Sequence, residues 1–186
     1  MSKIGSKIIL IPAGAQVSLE EKVLRIRGPK GEMAREIPSS LKVIIEEGKL
    51  SVQRQSESKE VRSLHGLYRS LIANMFQGVT EGFICTLEIK GVGFRAEKTE
   101  RELKLSLGFS HPVFLPIPEE IEIAVEGPIV KVSGIDKEKV HSFAAVIRSI
   151  KPPEIYKGKG IRYQGEVVTL KPGKSAKGAG AASGTA

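Results

Sequence analysis

The chain has 186 residues, a net charge of +8, 40% hydrophobic residues and a single cysteine. That length allows one ordinary domain or two small ones with a real core, and the composition offers no apolar run of the ~18 residues that a membrane span needs. A lone thiol excludes an internal disulfide scaffold and fits a reducing cytosol, while a pI near 9.6 suits a polyanionic partner, either nucleic acid or an anionic membrane surface.

The charge is unevenly placed. Residues 1–82 carry 13 basic and nine acidic groups, residues 83–150 nine and ten, and residues 151–186 seven and two. More than half of the excess therefore lies in the last fifth of the chain.

The opening Met1–Leu10 holds Lys3 and Lys7 and no acid. It lacks the apolar region and small-residue cleavage site of a secretory signal. Such an arm can reach RNA or can simply be solvated. Beyond it the chain repeats itself. Gly28 matches Gly108 and Ile37-Pro38 matches Ile117-Pro118, both at an offset of 80. At the same offset Leu41, Val43 and Ile45 fall on Ile121, Ile123 and Val125, and Leu50 and Val52 on Val130 and Val132. The offset then becomes 79: Val61, Leu64, Leu67 and Leu71 fall on Val140, Phe143, Val146 and Ile150, and Arg69-Ser70 on Arg148-Ser149. A shared apolar phase of this length indicates a tandem duplication.

Within each copy, strands precede one helix. Leu41, Val43 and Ile45 alternate, Glu46-Glu47-Gly48 breaks the run as a hairpin turn would, and Leu50 and Val52 resume it. Val61, Leu64, Leu67, Tyr68, Leu71, Ile72, Met75 and Phe76 then form a helical stripe. Ser56 can cap its start, with Glu57 and Glu60 on the positive end of the dipole, and Gly78 can end it. The second copy turns at Glu126-Gly127-Pro128. Asp136 caps its helix, Val140, Phe143, Val146, Ile147 and Ile150 form the stripe, and Pro152-Pro153 stops it. Gly66 and its partner Ala145 are both small, which predicts close packing of helix on sheet. The expected fold class is α+β, a tandem duplication of a module in which one helix covers an antiparallel or mixed sheet. The expected domains are a first module over 1–82 with its basic arm, a second over 83–170 with a basic loop, and a flexible basic Gly/Ala-rich tail over 171–186.

Catalytic groups are scarce. Asp136 is the one aspartate, and His65, His111 and His141 have no metal-ligand spacing; each histidine reads as structural or surface. Cys85 has no adjacent cation to activate it and reads as a small buried hydrophobe. Glu46-Glu47 and Glu119-Glu120 read as solvated. Gly91-Val-Gly93-Phe-Arg-Ala96 fits the dinucleotide pattern G-x-G-x-x-A, but that pattern needs a helix to follow at once. Glu97–Glu102 and the alternation Leu103, Leu105, Leu107 predict strand, turn and strand, so the glycines mark a bulge or a close backbone approach. The expectation is no enzyme, no cofactor, no metal, no small-molecule substrate and no membrane partner.

The informative stretch is Lys151-Pro-Pro-Glu-Ile-Tyr156-Lys157-Gly158-Lys159-Gly160-Ile-Arg162-Tyr163. Lys157, Lys159 and Arg162 can neutralise phosphates. Gly158 and Gly160 let the backbone come close and offer amide donors. Tyr156 and Tyr163 can stack on an unpaired base or bond a 2′-hydroxyl. The same composition also fits a solvated basic loop whose tyrosines pack on the second module. The run Tyr156–Tyr163 resembles the signature of the ribosomal protein L6 family of the bacterial large subunit. Ser2–Pro12 is similar to the family's opening, Gly28-Pro-Lys-Gly31 to its first-module turn, and Gly91–Ala96 to its second-module strand junction. Gly28–Gly31 reads as a turn more than a site. Ile155 departs from the family, which often has proline there.

The resemblance implies a structural protein binding 23S ribosomal RNA mainly through its second module and C-terminal segment. Its place would be near the base of the factor-binding stalk, with neighbouring large-subunit ribosomal proteins and transient proximity to translational GTPases, and its role would be in subunit assembly. It carries Tyr156, Lys157, Gly158, Lys159, Gly160, Arg162 and Tyr163 onto the RNA contact. Lys151, Lys171, Lys174 and Lys177 are added on charge. A free regulatory RNA-binding module is the alternative.

Overall fold

The computed structural model describes residues 3–46 and 48–173. In chain order its elements are β1 Ile9–Leu10, β2 Gln16–Glu20, β3 Val23–Gly28, β4 Gly31–Glu36, β5 Leu41–Glu46, β6 Lys49–Arg54 and α1 Lys59–Thr80. Then follow β7 Phe83–Lys90, β8 Arg95–Lys98, β9 Glu102–Ser106, β10 Val113–Pro116, β11 Ile121–Glu126, β12 Ile129–Gly134, α2 Lys137–Ile150 and β13 Gly160–Tyr163.

The duplication is visible in the strand orders. One pair of three-stranded sheets runs β1-β6-β5 and β2-β3-β4, and the other pair runs β7-β12-β11 and β8-β9-β10. The same backbone bond recurs as well: Ile11 N–H donates to Gly48 O and Ile89 N–H to Pro128 O, both at 2.8 Å. The expected α+β duplication is the observed fold. What breaks the symmetry is β13, an extra strand on the outer edge of β7.

By packing, the chain divides into two compact units. The first holds Met1–Ile84 with Pro118–Glu122 and Ser133–Ser142; the second holds Cys85–Ile117, Ile123–Val132 and the chain from Phe143 onward. The core of the first is built from Leu24, Ile26, Leu50, Ile72, Met75 and Val79, with Ile135 packed against it. In the second, Leu87, Leu103, Leu105, Leu107, Ile147 and Ile161 are fully buried. Alternation along the strands produces this burial: in β9, Leu103 and Leu105 point inward while Glu102 is exposed.

The α1 ends differ from expectation. Ser58, not Ser56, is the N-cap, accepting from Val61 N–H at 3.3 Å; Ser56 Oγ instead accepts from Ser58 N–H at 3.2 Å, one step before the helix. Gly78 does not end α1. It is buried inside the helix, and a Cβ there would collide with the Ile135 carbonyl oxygen. The terminating glycine is Gly82, at φ +75°, whose N–H returns to Gln77 O at 3.1 Å. The Gly28–Gly31 turn packs on this end. Lys30 N–H donates to Val79 O at 3.0 Å and the Lys30 ammonium to Glu81 O, placing a cation on the negative end of the dipole. Asp136 caps α2 as expected, accepting from Glu138 N–H at 2.8 Å.

The small pair Gly66 and Ala145 is not a packing contact: Gly66 is half-buried and Ala145 exposed. The buried partners at that offset are one residue earlier, His65 and Ala144. Leu67 and Val146, assigned to the two apolar stripes, are both exposed, because each stripe is narrower than its periodicity implied. His65 is buried, bonded through Nε2 to Val52 O at 2.7 Å, and His141 bonds Lys137 O from the surface of α2. Cys85 is buried, and that burial pushes its thiol pKa up.

Candidate nucleic-acid interface

The segment after α2 is a closed loop seated on β7. Pro152 and Pro153 cannot continue the helix, and the chain folds back through its own backbone. Ile161 N–H donates to Lys151 O and Glu154 N–H to Lys159 O, each at 2.8 Å, and Gly158 N–H to Glu154 O at 2.9 Å. Lys171 N–H donates to Ile155 O at 2.8 Å, so the position that departs from the family pattern is tied down by its carbonyl. β13 then pairs antiparallel with β7, Gly160 opposite Lys90, Ile161 opposite Ile89, Arg162 opposite Glu88 and Tyr163 opposite Leu87. Ile161, fully buried, anchors that strand.

The two glycines shape this loop from within. Gly158 sits at φ +67°, where a side chain is strained, and its amide is already used by Glu154. Gly160 is buried at φ +144°, and a Cβ there would lie 2.5 Å from Pro152 O. Neither glycine therefore offers a free amide at the surface, contrary to the expected phosphate-donor role. Their part is to let the loop close.

The side chains sort into two groups. Lys157 and Lys159 are exposed at the tip and make no ion pair among the described residues. Tyr156 beside them is 54% exposed, and Lys171 is exposed next to the loop's anchor point. Lys151 places its ammonium 4.7 Å from the centre of the Phe109 ring, a cation–π contact that leaves the ammonium half-buried. Arg162 and Tyr163 belong to a second layer. Arg162 donates through Nε and Nη2 to Glu88 Oε2 at 2.9 and 2.6 Å, with the pair about three-quarters buried. Tyr163 lies under the Arg148 guanidinium, 5.5 Å from ring centre. Glu166 binds Arg148 through both oxygens and also accepts from Tyr163 N–H at 2.9 Å. The Arg148 hydrogen bond, then the Tyr163 amide, hold the Glu166 carboxyl below its ordinary pKa, and Glu166 in turn raises that of Arg148. Lys174 and Lys177 lie outside the described residues.

Sequence reasoning missed three contributors. Lys90 is exposed opposite Gly160. Val92, at the tip of the Gly91–Gly93 turn, is 93% exposed. Phe109 supports Lys151. The pairing of β13 with β7 brings Lys90 beside the loop, and the first repeat has no counterpart to β13 that could have signalled it. No helix follows Gly91–Ala96; β8 and β9 do, which is the strand, turn and strand expected. Among the described residues no three His, Cys, Asp or Glu side chains are placed to hold a metal, and no helix is long and apolar enough to cross a membrane.

The profile of one family, described as ribosomal protein L6, matches residues 11–82 and 90–164, one stretch on each repeat. The chain belongs to the ribosomal protein L6 family. Among its relatives, the large ribosomal subunit protein uL6 of Persephonella marina is 51% identical over 176 residues, covering 94% of this chain and 98% of the relative. Its namesake in Bacillus cereus is 50% identical over 179 residues, covering 95% and 100%, and that of Syntrophobacter fumaroxidans 49% identical over 175, covering 94% and 98%. The L6 profile spans both the Gly91–Ala96 turn and the Tyr156–Tyr163 run. Membership of this family sets the enzyme readings aside: the chain is a ribosomal protein, not an enzyme.

Proposed function

We propose that this chain is a structural component of the large ribosomal subunit that binds 23S ribosomal RNA through the 151–171 loop and so supports subunit assembly and translation in the cytoplasm. The observation that carries this reading is a rigid loop with uncompensated charge at its tip. Backbone bonds and β13 fix its path, while Lys157 and Lys159 face solvent without a carboxylate. Cations held on a pre-formed frame lose little entropy on meeting phosphates and release counterions when they do. Tyr156 stacks on an unpaired base or bonds a 2′-hydroxyl. Lys151, Lys171 and Lys90 widen the basic rim, and Lys174 and Lys177 add charge. Gly158, Gly160, Arg162 and Tyr163 act one layer back by holding the loop. Its partners are the rRNA and neighbouring large-subunit proteins. Its site in the subunit, on this reading, is near the base of the factor-binding stalk, close to translational GTPases.

The test is co-sedimentation with purified large subunits lacking this protein, in a salt series, beside a Lys157→Ala/Lys159→Ala variant. Near-stoichiometric recovery is expected for the unaltered chain. The variant should bind more weakly, with a salt slope lower by about 2, roughly one per lost phosphate contact. A chain that stays in the free fraction at moderate salt is not a subunit component, and a free regulatory RNA-binding module then becomes the better description.

A further inference from the structure

We propose that the first unit carries a second RNA-phosphate contact, formed by Lys3 and Lys7 of the N-terminal arm with Arg62 and Arg69 of α1; it rests on the reading of the chain as an rRNA-binding protein. Two contacts fix the arm on the helix. Gly5 is buried against the His65 ring, where a Cβ would clash, and Arg69 Nε donates to Lys7 O at 3.0 Å. Lys7 N–H closes a turn on Ile4 O at 3.2 Å. The lysines of the arm are thereby displayed from an ordered backbone.

The helix contributes from the same side. At about 100° per residue, Arg62, His65, Gly66 and Arg69 fall on one flank of α1, the flank on which the arm lies. Glu60, the nearest acid in the helix, falls about 160° from Arg62 and so faces away. The arm itself has no acid before Glu20. Arg25, Arg35 and Arg54 each bind a glutamate, whereas Lys3, Lys7, Arg62 and Arg69 form no ion pair among the described residues, and the first three are exposed; unlike the other unpaired cations of the unit, these four share one flank of α1 and the arm docked on it. Four cations with no carboxylate among them repel one another in the free protein. A phosphate backbone relieves that repulsion, and contacts of this kind position a protein on RNA without reading sequence.

The test is hydroxyl-radical probing in reconstituted large subunits, with an iron chelate tethered in turn to Lys7→Cys, Arg62→Cys, Lys157→Cys and Lys42→Cys. Cys85 is buried and stays unmodified. Cleavage of rRNA from positions 7 and 62 at one shared set of nucleotides, distinct from those cut from 157 and absent from 42, is the expected result. Cleavage from 157 but not from 7 or 62 overturns this contact while leaving the proposed function standing. Cleavage of a neighbouring protein from 7 and 62 instead assigns the patch to a protein partner and overturns it equally. Silence at all positions, 157 included, overturns the functional reading itself. As a second readout, Lys3→Glu/Lys7→Glu/Arg62→Glu should reduce the salt slope of subunit binding by about 3 with an unchanged Tm, since Arg69 still holds the arm. An unchanged slope counts against the contact.

Discussion

Arg162 pairs with Glu88, with about three-quarters of each side chain buried. Its charge and its place in the Tyr156–Tyr163 run read as a phosphate contact, yet its guanidinium is spent on Glu88, 74 residues upstream. No spacing rule finds such a partner, because it depends on the register of β13 on β7. Lys157 and Lys159 carried the same signal and are free, so composition located the patch but could not say which cations were available. Arg162→Ala should therefore cost about 1 kcal/mol of stability, the range for a charge-assisted pair that retains some solvent contact. A double-mutant cycle with Glu88→Gln should recover most of that as coupling; additive losses would mean the pair contributes little. Glu166 makes a pH-dependent counterpart. Its carboxyl is held below the ordinary 4.5 in the folded chain by Arg148 and the Tyr163 amide. A depressed folded-state pKa contributes stability above the unfolded value, and that stability is lost as pH falls through the folded one. The Tm advantage of the unaltered chain over Glu166→Gln should thus be full at neutral pH and shrink below about 4.5; a gap that does not narrow in acid contradicts this account.

Among the elements, the strands were legible and the helix ends were not. Period-two alternation placed the β5–β6 and β11–β12 hairpins, because a half-buried strand records its burial residue by residue. Helix ends depend on which of several serines and glycines wins, and α1 offers Ser56 or Ser58 and Gly78 or Gly82. The sequence reading named Ser56 and Gly78 alone; the geometry uses Ser58 and Gly82. Gly78 is required by space, not by turn formation, and this fixes the sign of a substitution that propensity gets wrong. In a helix interior, Gly→Ala gains about 1 kcal/mol from propensity. Here the new methyl meets the backbone carbonyl of Ile135, which cannot swing aside as a side chain could, and overpacking of this kind typically costs ~1–3 kcal/mol. The clash should win, so Gly78→Ala should lower the urea midpoint with an unchanged m-value. A raised midpoint would show that the Gly134–Asp136 turn can shift at little cost.

At the scale of the whole molecule, the repeat and the packing divide the chain differently. The repeat, read from apolar phase alone, sets its division at 82/83, and both its strands and its helices recur in the structure. The first compact unit also takes Pro118–Glu122 and Ser133–Ser142 from the second copy, with Ile135 against the first core and Arg35 bonded to Glu138 at 2.9 Å. Apolar periodicity reports which residues a copy buries but not what buries them, so this borrowing left no trace in the sequence. It has a measurable consequence. A fragment ending at residue 82 keeps every strand and the helix of the first copy but exposes the surface that Ile135 covers. That fragment should unfold at a lower temperature than the first unit does in the full chain, and it should bind a hydrophobic dye. Ile135→Ala in the full chain should reproduce part of the loss, about 2 kcal/mol for a large-to-small change at a partly covered site. If the fragment is as stable as the full chain, and Ile135→Ala is silent, the repeat boundary at 82/83 is also the boundary of independent folding.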